Sequence, residues 1–283
     1  MQKQEVLVLG ATGVLGGAVA HALLHAGHPV RALTPDLADP VAHALRVRGA
    51  RLTWMDPDDP GALRAAVDGV TTVFAVTSAA GRGAAAETRQ GLDLIEHARE
   101  CGVEHLVYSS EMAAATLTGV AHLDSKHEIE QYLHASGVPH TILCPGFLME
   151  TLLTTPWIEH IHRGELPLSL AHGRRLQLIA AQDVAQFVAL VVSRPEEFHA
   201  RRVCIASDEA TPIEMSAALA RVIGHRIVPA PPADDAALPE PWTRDAFAWL
   251  DRIPGCASIS LLRSRYPEVD WHTLDGWARR QSW

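Results

Sequence analysis

The segment Val6-Leu-Val-Leu-Gly-Ala-Thr-Gly-Val-Leu-Gly-Gly17 constrains this chain more than any other stretch. Four apolar residues run straight into glycines at 10, 13 and 16, and an amphipathic helical pattern opens behind them. The G-x-x-G-x-x-G spacing is informative because it sits at a strand-to-helix junction. Gly10 is expected to end the strand in a turn closed to side chains. Gly13 is expected to let backbone N–H groups approach a diphosphate, and Gly16 to let the helix lie close on the sheet. The start of the helix adds N–H donors and the positive end of its dipole. Gly10, Thr12, Gly13, Val14, Leu15 and Gly16 are therefore the expected cradle of a dinucleotide.

The rest of the first half has the matching rhythm. Apolar runs at Val6–Leu9, Val30–Leu33, Arg51–Trp54, Thr72–Val76, His105–Tyr108 and His140–Leu143 alternate with helical patterns. Those patterns cover Val14–Ala26, Pro40–Arg48, Pro60–Val67, Ala85–Cys101 and Leu123–Ala135. Most runs are apolar nearly throughout, as in strands covered on both faces. Gly27, Gly49, Gly102 and Gly137 stand where helix C-caps belong. Strand–helix–strand repetition means right-handed crossovers and a doubly wound parallel α/β sheet, a Rossmann fold.

After Gly146 the rhythm changes. A helix is expected over Phe147–Arg163, a strand over Leu176–Ala180, a helix over Gln182–Ser193, a strand over Val203–Ala206 and a helix over Pro212–Ile223. The expected division is a Rossmann domain over 1–150 and a smaller α/β domain over 151–283 that forms the other wall of a cleft, with residues near 175–193 packing back on the core. Five of the seven tryptophans (Trp242, Trp249, Trp271, Trp277 and Trp283) fall in the tail. A helical cap on the core is favoured for them over the roof of a ligand pocket.

Composition excludes several classes. The 24 Lys and Arg against 33 Asp and Glu give a charge of -9, which disfavours a nucleic-acid coat. The four cysteines, 101, 144, 204 and 256, form no C-x-x-C. That argues against a disulfide framework or zinc ribbon and for a reducing compartment. No apolar run reaches membrane-spanning length, and no signal layout opens the chain. The expectation is a cytoplasmic protein with no membrane partner. His21 and His25 share a helix face but have no third ligand, so no metal site is expected. No nucleophile elbow appears, which disfavours a hydrolase.

The second strand speaks to which dinucleotide. Thr34-Pro-Asp-Leu-Ala-Asp39 follows it, and neither Lys nor Arg occurs between Arg31 and Arg46. Asp36 is the candidate for a ribose 2′-hydroxyl, which favours NAD over NADP; a turn or helix cap is its other reading. Asp56 is placed toward the adenine, with helix capping better suited to Asp58 or Asp59. Val76, Thr77 and Ser109 end the fourth and fifth strands at the edge where ligands lie.

His122 and Lys126 stand four apart, on one face of the next helix. Lys126 can bond a nicotinamide ribose, and His122 can donate a proton near neutral pH. The competing reading is an ordinary surface His and Lys.

The strings Gly10-Ala-Thr-Gly-Val-Leu-Gly16, Val30-Arg-Ala-Leu-Thr34, Met55-Asp-Pro-Asp-Asp59, Val73-Phe-Ala-Val-Thr77, Val107-Tyr-Ser-Ser110, His122-Leu-Asp-Ser-Lys126 and Pro145-Gly-Phe-Leu-Met-Glu150 resemble the NmrA-like family. Asp183-Val-Ala185 and Gly224-His-Arg226 continue the match along essentially the whole chain. That family consists of atypical short-chain dehydrogenase/reductase proteins. The resemblance implies NAD or NADP in the Rossmann cleft, with Pro145 and Phe147 beside it. It implies either of two roles. One is a reductase of a quinone, carbonyl or other small aromatic substrate, with an apolar slot lined by Phe147, Met149 and the C-terminal tryptophans. The other is a redox-sensing regulator that binds the nucleotide and a protein partner without turnover. Three departures stand out. Pro35 replaces an Arg that often serves an NADP 2′-phosphate. His122 replaces the usual dehydrogenase Tyr. Cys144 and Thr151 replace an Arg and an Asn that often flank the Pro-Gly-Phe segment.

Overall fold

Apolar runs that cannot be solvated on either face become the central sheet. In the computed structural model, which describes residues 4–56, 59–171, 173–230 and 243–283, the strands are β1 (Val6–Leu9), β2 (Val30–Thr34), β3 (Arg51–Trp54), β4 (Thr72–Val76), β5 (His105–Ser109) and β6 (His140–Pro145). The helices between them are α1 (Val14–His25), α2 (Pro40–Val47), α3 (Pro60–Val67), α4 (Ala84–Glu100) and α5 (Ala121–Ser136). Each lies within two residues of the sequence expectation. Gly27, Gly49, Gly102 and Gly137 all adopt positive φ, as left-handed helix stops require.

The second half adds β7 (Phe147–Leu148), α6 (Trp157–His162), β8 (Glu165–Leu166), β9 (Leu176–Ile179), α7 (Ala181–Ser193), α8 (Pro195–Phe198) and β10 (Arg201–Ile205). It continues with β11 (Asp208–Ala210), α9 (Pro212–Ile223), β12 (Val228–Pro229), α10 (Thr243–Leu250), α11 (Ile259–Arg265) and α12 (Leu274–Ala278). The expected helix over Phe147–Arg163 is a correction. Residues 147–148 pair with β9 instead, Phe147 opposite Leu178. Pro156, which lacks an N–H and restricts the residue before it, delays the helix to Trp157.

The main sheet runs β10-β6-β5-β4-β1-β2-β3. Pairings from β3 through β6 are parallel. The chain winds outward from β1 through β2 to β3, then restarts on the other side at β4. The switch point, where such sheets leave a crevice beyond their carboxyl ends, lies between β1 and β4. All four residues of β1 are buried, whereas the edge strand β3 is partly exposed.

Two compact units emerge. The first comprises 1–110, 124–144 and 184–203; the second comprises 111–123, 145–183 and 204–283. In the second, β9 pairs antiparallel with β11 and parallel with β7. Its core gathers Met149, Trp157, Leu178, Met215, Leu219 and Trp277, with Trp283 packed against it. Met149 and Trp277 are thus core residues of this unit. Trp242 and Asp58 lie outside the described residues.

Two buried carboxylates tie down the second unit. Asp183, fully buried, accepts the backbone N–H of His272 at 2.9 Å and faces its Nδ1. Arg280 donates to His272 Nε2 at 2.6 Å, so the ring proton sits on Nδ1, toward Asp183. Glu150 accepts from Ala181 N–H at 2.9 Å and the Trp277 indole at 3.0 Å, and burial pushes its carboxyl above the usual range.

The cysteines require a second correction. Cys204 and Cys256 form a disulfide, their Cα atoms 5.9 Å apart. The bond joins positions 52 residues apart, and no local spacing announces such a pair. Beside it, the Gln177 amide donates to Ala257 O at 2.8 Å and accepts from its N–H at 3.0 Å.

Candidate functional site

The turn after β1 is shaped by what it excludes. Gly10 has φ +79°, and a Cβ there would stand 2.8 Å from a Val76 methyl and 3.0 Å from the Val76 carbonyl oxygen. A Cβ at Gly16 would lie 2.1 Å from the Gly10 oxygen and 2.5 Å from its carbon. Those are backbone atoms that cannot rotate away. Both positions are glycine because the chain itself leaves no room.

Gly13 is different. Its backbone is extended, φ -78° and ψ 166°, a conformation open to any residue. Its added Cβ would meet only the Gly10 oxygen, at an ordinary 3.4 Å. It is exposed at the N-cap of α1, and no side chain caps that helix. By contrast, Asp39 caps α2 by accepting from Val41 N–H at 2.7 Å, and Asp59 caps α3 through Gly61 N–H at 2.9 Å. The protein's own packing gives no reason for a bare Cα at 13. A bulky anion approaching the helix head does. The residues present therefore fit a dinucleotide diphosphate.

Strand β2 and the loop after it show how their charges are spent. The Arg31 guanidinium bonds Glu5 Oε2 at 2.6 Å, Ala66 O at 2.6 Å and Asp68 O at 2.9 Å. It is committed to that network. Thr34 Oγ1 donates to Asp36 O at 2.7 Å, and Asp36 Oδ1 accepts the Ala38 N–H at 2.8 Å, an Asx turn. Asp36 is exposed, so its second carboxylate oxygen can still face solvent or a ribose. Trp54, 55% exposed, donates its indole N–H to Pro35 O at 3.1 Å. Asp56 is half-buried.

Beyond β4 and β5 lies a buried polar network. Thr77 Oγ1 is 2.9 Å from Glu87 Oε1 and 3.0 Å from the Tyr108 hydroxyl. Lys126 Nζ donates to Glu87 Oε1 at 2.7 Å and to Thr77 O at 3.1 Å. Ser125 Oγ donates to the other Glu87 oxygen at 2.7 Å. Burial pushes the Tyr108 phenol up to about 12, so it stays protonated; the Lys126 charge pulls the other way. Ser109 is buried on β5 between Val76 and Leu143.

The first unit thus brings together Gly10, Thr12, Gly13, Val14, Leu15, Gly16, Thr34, Asp36, Asp56, Val76, Thr77, Ser109 and Lys126. His122, Pro145 and Phe147 belong to the second. There, His122 is buried with Nε2 3.7 Å from Glu111 Oε2. Phe147 packs on Trp157 and Phe247 at ring distances of 5.6 and 6.0 Å. Sequence reasoning missed Glu87, Tyr108, Ser125 and Glu111. Ser125 sits beside Lys126, and Tyr108 beside Ser109, so both were within reach. Glu87 carried no local signal.

The model of the NmrA-like family matches residues 2–230. An NAD(P)H azoreductase from Xenophilus azovorans is 30% identical over 223 residues, 78% of this chain and 75% of that protein. Two other curated relatives are matched over 48% and 60% of their own length. Among solved structures, an NADPH-dependent quinone oxidoreductase from Escherichia coli, complexed with NADPH, gives a TM-score of 0.80 at 23% identity. The match covers 96% of this chain and 98% of that one. NmrA, a negative transcriptional regulator in complex with NADP, gives 0.79 at 19% identity, over 99% and 95%. At such identities these structures establish the fold, a mostly parallel Rossmann-like sheet. Among the described residues no helix is long and apolar enough to cross a membrane.

Proposed function

The chain belongs to the NmrA-like family, and on that premise we propose that it is a nicotinamide-dependent reductase of small aromatic or quinone-like molecules. The observation that carries the reading is Gly13: a bare, exposed Cα that the fold does not require, at the uncapped head of α1. The likeness to an NAD(P)H azoreductase supports the substrate class.

When bound, the nicotinamide supplies hydride. The chain supplies placement and protons. Backbone N–H groups from Val14 to Gly16 bind the diphosphate; that of Gly13 is spent on the Gly10 oxygen at 3.0 Å. Lys126 holds the nicotinamide ribose by charge-assisted hydrogen bonding. His122, four residues earlier on α5, holds the proton taken up by the reduced oxygen or nitrogen, with the Glu111 carboxylate beside it. The preference is for NAD: Pro35 offers no charge, Arg31 is bound elsewhere, and a 2′-phosphate would face the Asp36 carboxylate.

The test is consumption of NADH and NADPH against a panel of quinones and azo dyes, with Lys126→Ala and His122→Phe beside the parent. Turnover with NADH, lost in Lys126→Ala and cut about 100-fold or more in His122→Phe, is the expected result. Full activity in Lys126→Ala overturns the catalytic assignment. A clear preference for NADPH overturns the reading of Pro35 and Asp36. One observation favours a second reading: His122 stands where a dehydrogenase Tyr is usual, and a His cannot reproduce a Lys-stabilised phenolate. Tight nucleotide binding with no turnover would make the protein a redox-sensing regulator, and a partner protein would then be sought in each redox state.

A further inference from the structure

Glu87 is the least expected residue of the first unit. It lies in the first turn of α4, and its side chain is fully buried. Its carboxylate gathers donors from two other parts of the chain. Lys126 Nζ and Thr77 Oγ1 bond one oxygen, at 2.7 and 2.9 Å, and Ser125 Oγ bonds the other at 2.7 Å. Thr77 follows β4 directly, and Ser125 and Lys126 are on α5. The cluster therefore sits at the carboxyl ends of the strands, on the side where ligands of such sheets lie.

A buried ion pair is a poor way to stabilise a fold. Desolvation of both charges consumes most of their attraction, and apolar side chains of similar volume usually do as well or better. Apolar residues would equally serve the packing of α4 against α5: Gly91 already lets Ile129 come so close that a Cβ there would stand 2.5 Å from the Ile129 Cδ1. What the pair does provide is an ammonium with a fixed position. Lysine has a long, rotatable stem, and holding it costs side-chain entropy. Glu87 on one side and the Thr77 carbonyl on another remove that freedom in advance.

We propose that Glu87 is a positioning residue: it fixes the charged end of Lys126 where the nucleotide needs it, and Ser125 and Thr77 in turn fix Glu87. The proposal rests on the reading of Lys126 given above. Glu87 acts through Lys126 and touches no substrate, so its loss matters only while Lys126 is present.

That conditional effect is the test. Calorimetric titration with NADH and with NADPH is carried out on the full chain, on Lys126→Met, on Glu87→Gln and on the double variant. The expected result is at least tenfold weaker binding in Lys126→Met, weakening to within threefold of that in Glu87→Gln, and no further loss in the double variant. A residue important only for folding would lower the unfolding midpoint but leave the affinity of the folded protein unchanged. Ser125→Ala, which loosens Glu87 without removing a charge, serves if Glu87→Gln does not fold. It is expected to weaken binding two- to fivefold in the parent and not at all in Lys126→Met. If Lys126→Met binds as the parent does, the reading of Lys126 falls and takes the proposal with it. If Lys126→Met binds weakly while Glu87→Gln and Ser125→Ala bind normally, or if losses multiply in the double variant, the positioning role alone is overturned.

Discussion

Two glycines three residues apart are expected to respond oppositely to one methyl group. In Gly16→Ala the new carbon starts 2.1 Å from the Gly10 oxygen and 3.1 Å from the Ala11 nitrogen. Neither atom belongs to a flexible side chain, so α1 must shift by about 1 Å or more, and overpacking of this kind costs about 3 kcal/mol. For a chain of this size that lowers Tm by roughly 6 to 12 °C. In Gly13→Ala the nearest atom is 3.4 Å away and the backbone is already extended. The small loss at the helix cap, about 0.5 to 1 kcal/mol, is offset by a stiffer unfolded chain. Its Tm should stay within about 3 °C of the parent. The order reverses for ligand. The methyl of Gly13→Ala stands where the diphosphate must approach, and binding should weaken at least tenfold, about 1.4 kcal/mol. Thermal unfolding with and without NADH and NADPH, together with calorimetric titration, reads both quantities. If Gly13→Ala binds nucleotide like the parent, the cradle argument is wrong. If it unfolds as early as Gly16→Ala, the glycine serves the fold.

Three further outcomes follow from two buried histidines and from the disulfide. Burial lowers the His105 pKa from 6.5 to about 4, with the charges of His199 and His140 adding to it. The unfolded chain therefore takes up a proton that the folded chain lacks, and stability should fall between pH 6.5 and 4 by up to about 3 kcal/mol, at 1.36 kcal/mol per pH unit; urea unfolding of His105→Asn should lose much of that slope. His272→Ala leaves the buried Asp183 without the imidazole N–H it faces and should cost about 1 to 3 kcal/mol by chemical unfolding, while His272→Ala with Asp183→Ala should recover part of it. Reduction of Cys204–Cys256, whose partners are 52 residues apart, should lower stability by up to about 4 kcal/mol on the chain-entropy estimate, and the double serine variant should be insensitive to reductant.

What was legible in the sequence was whatever is encoded locally. The strands announced themselves as unbroken apolar runs, and the helix stops as glycines. The Gly10–Gly16 turn was readable because its three requirements lie within seven residues. The unread features all pair residues far apart. Nothing beside Arg31 in the sequence shows that its guanidinium is held by Glu5, 26 residues away, and by the carbonyls of Ala66 and Asp68. Glu87 carries no local sign of its burial, because Lys126 and Ser125 lie 39 and 38 positions on. The cysteine reading failed for the same reason. The helix expected across Phe147–Arg163 failed differently: a strand of two residues is too short to show a period of two, and its partner β9 begins at Leu176.

The loop after β2 has a consequence of its own. Pro35, Asp36, Leu37 and Ala38 are all exposed, and their ties to the rest of the protein are few: the Asx turn, the Thr34 hydroxyl and the Trp54 indole on a carbonyl. With Asp36 at the ribose, as proposed, selectivity among coenzymes is uncoupled from architecture. A lineage carrying this scaffold could exchange one reductant pool for another by altering two or three solvent-facing codons, with the sheet of packed strands beneath left untouched.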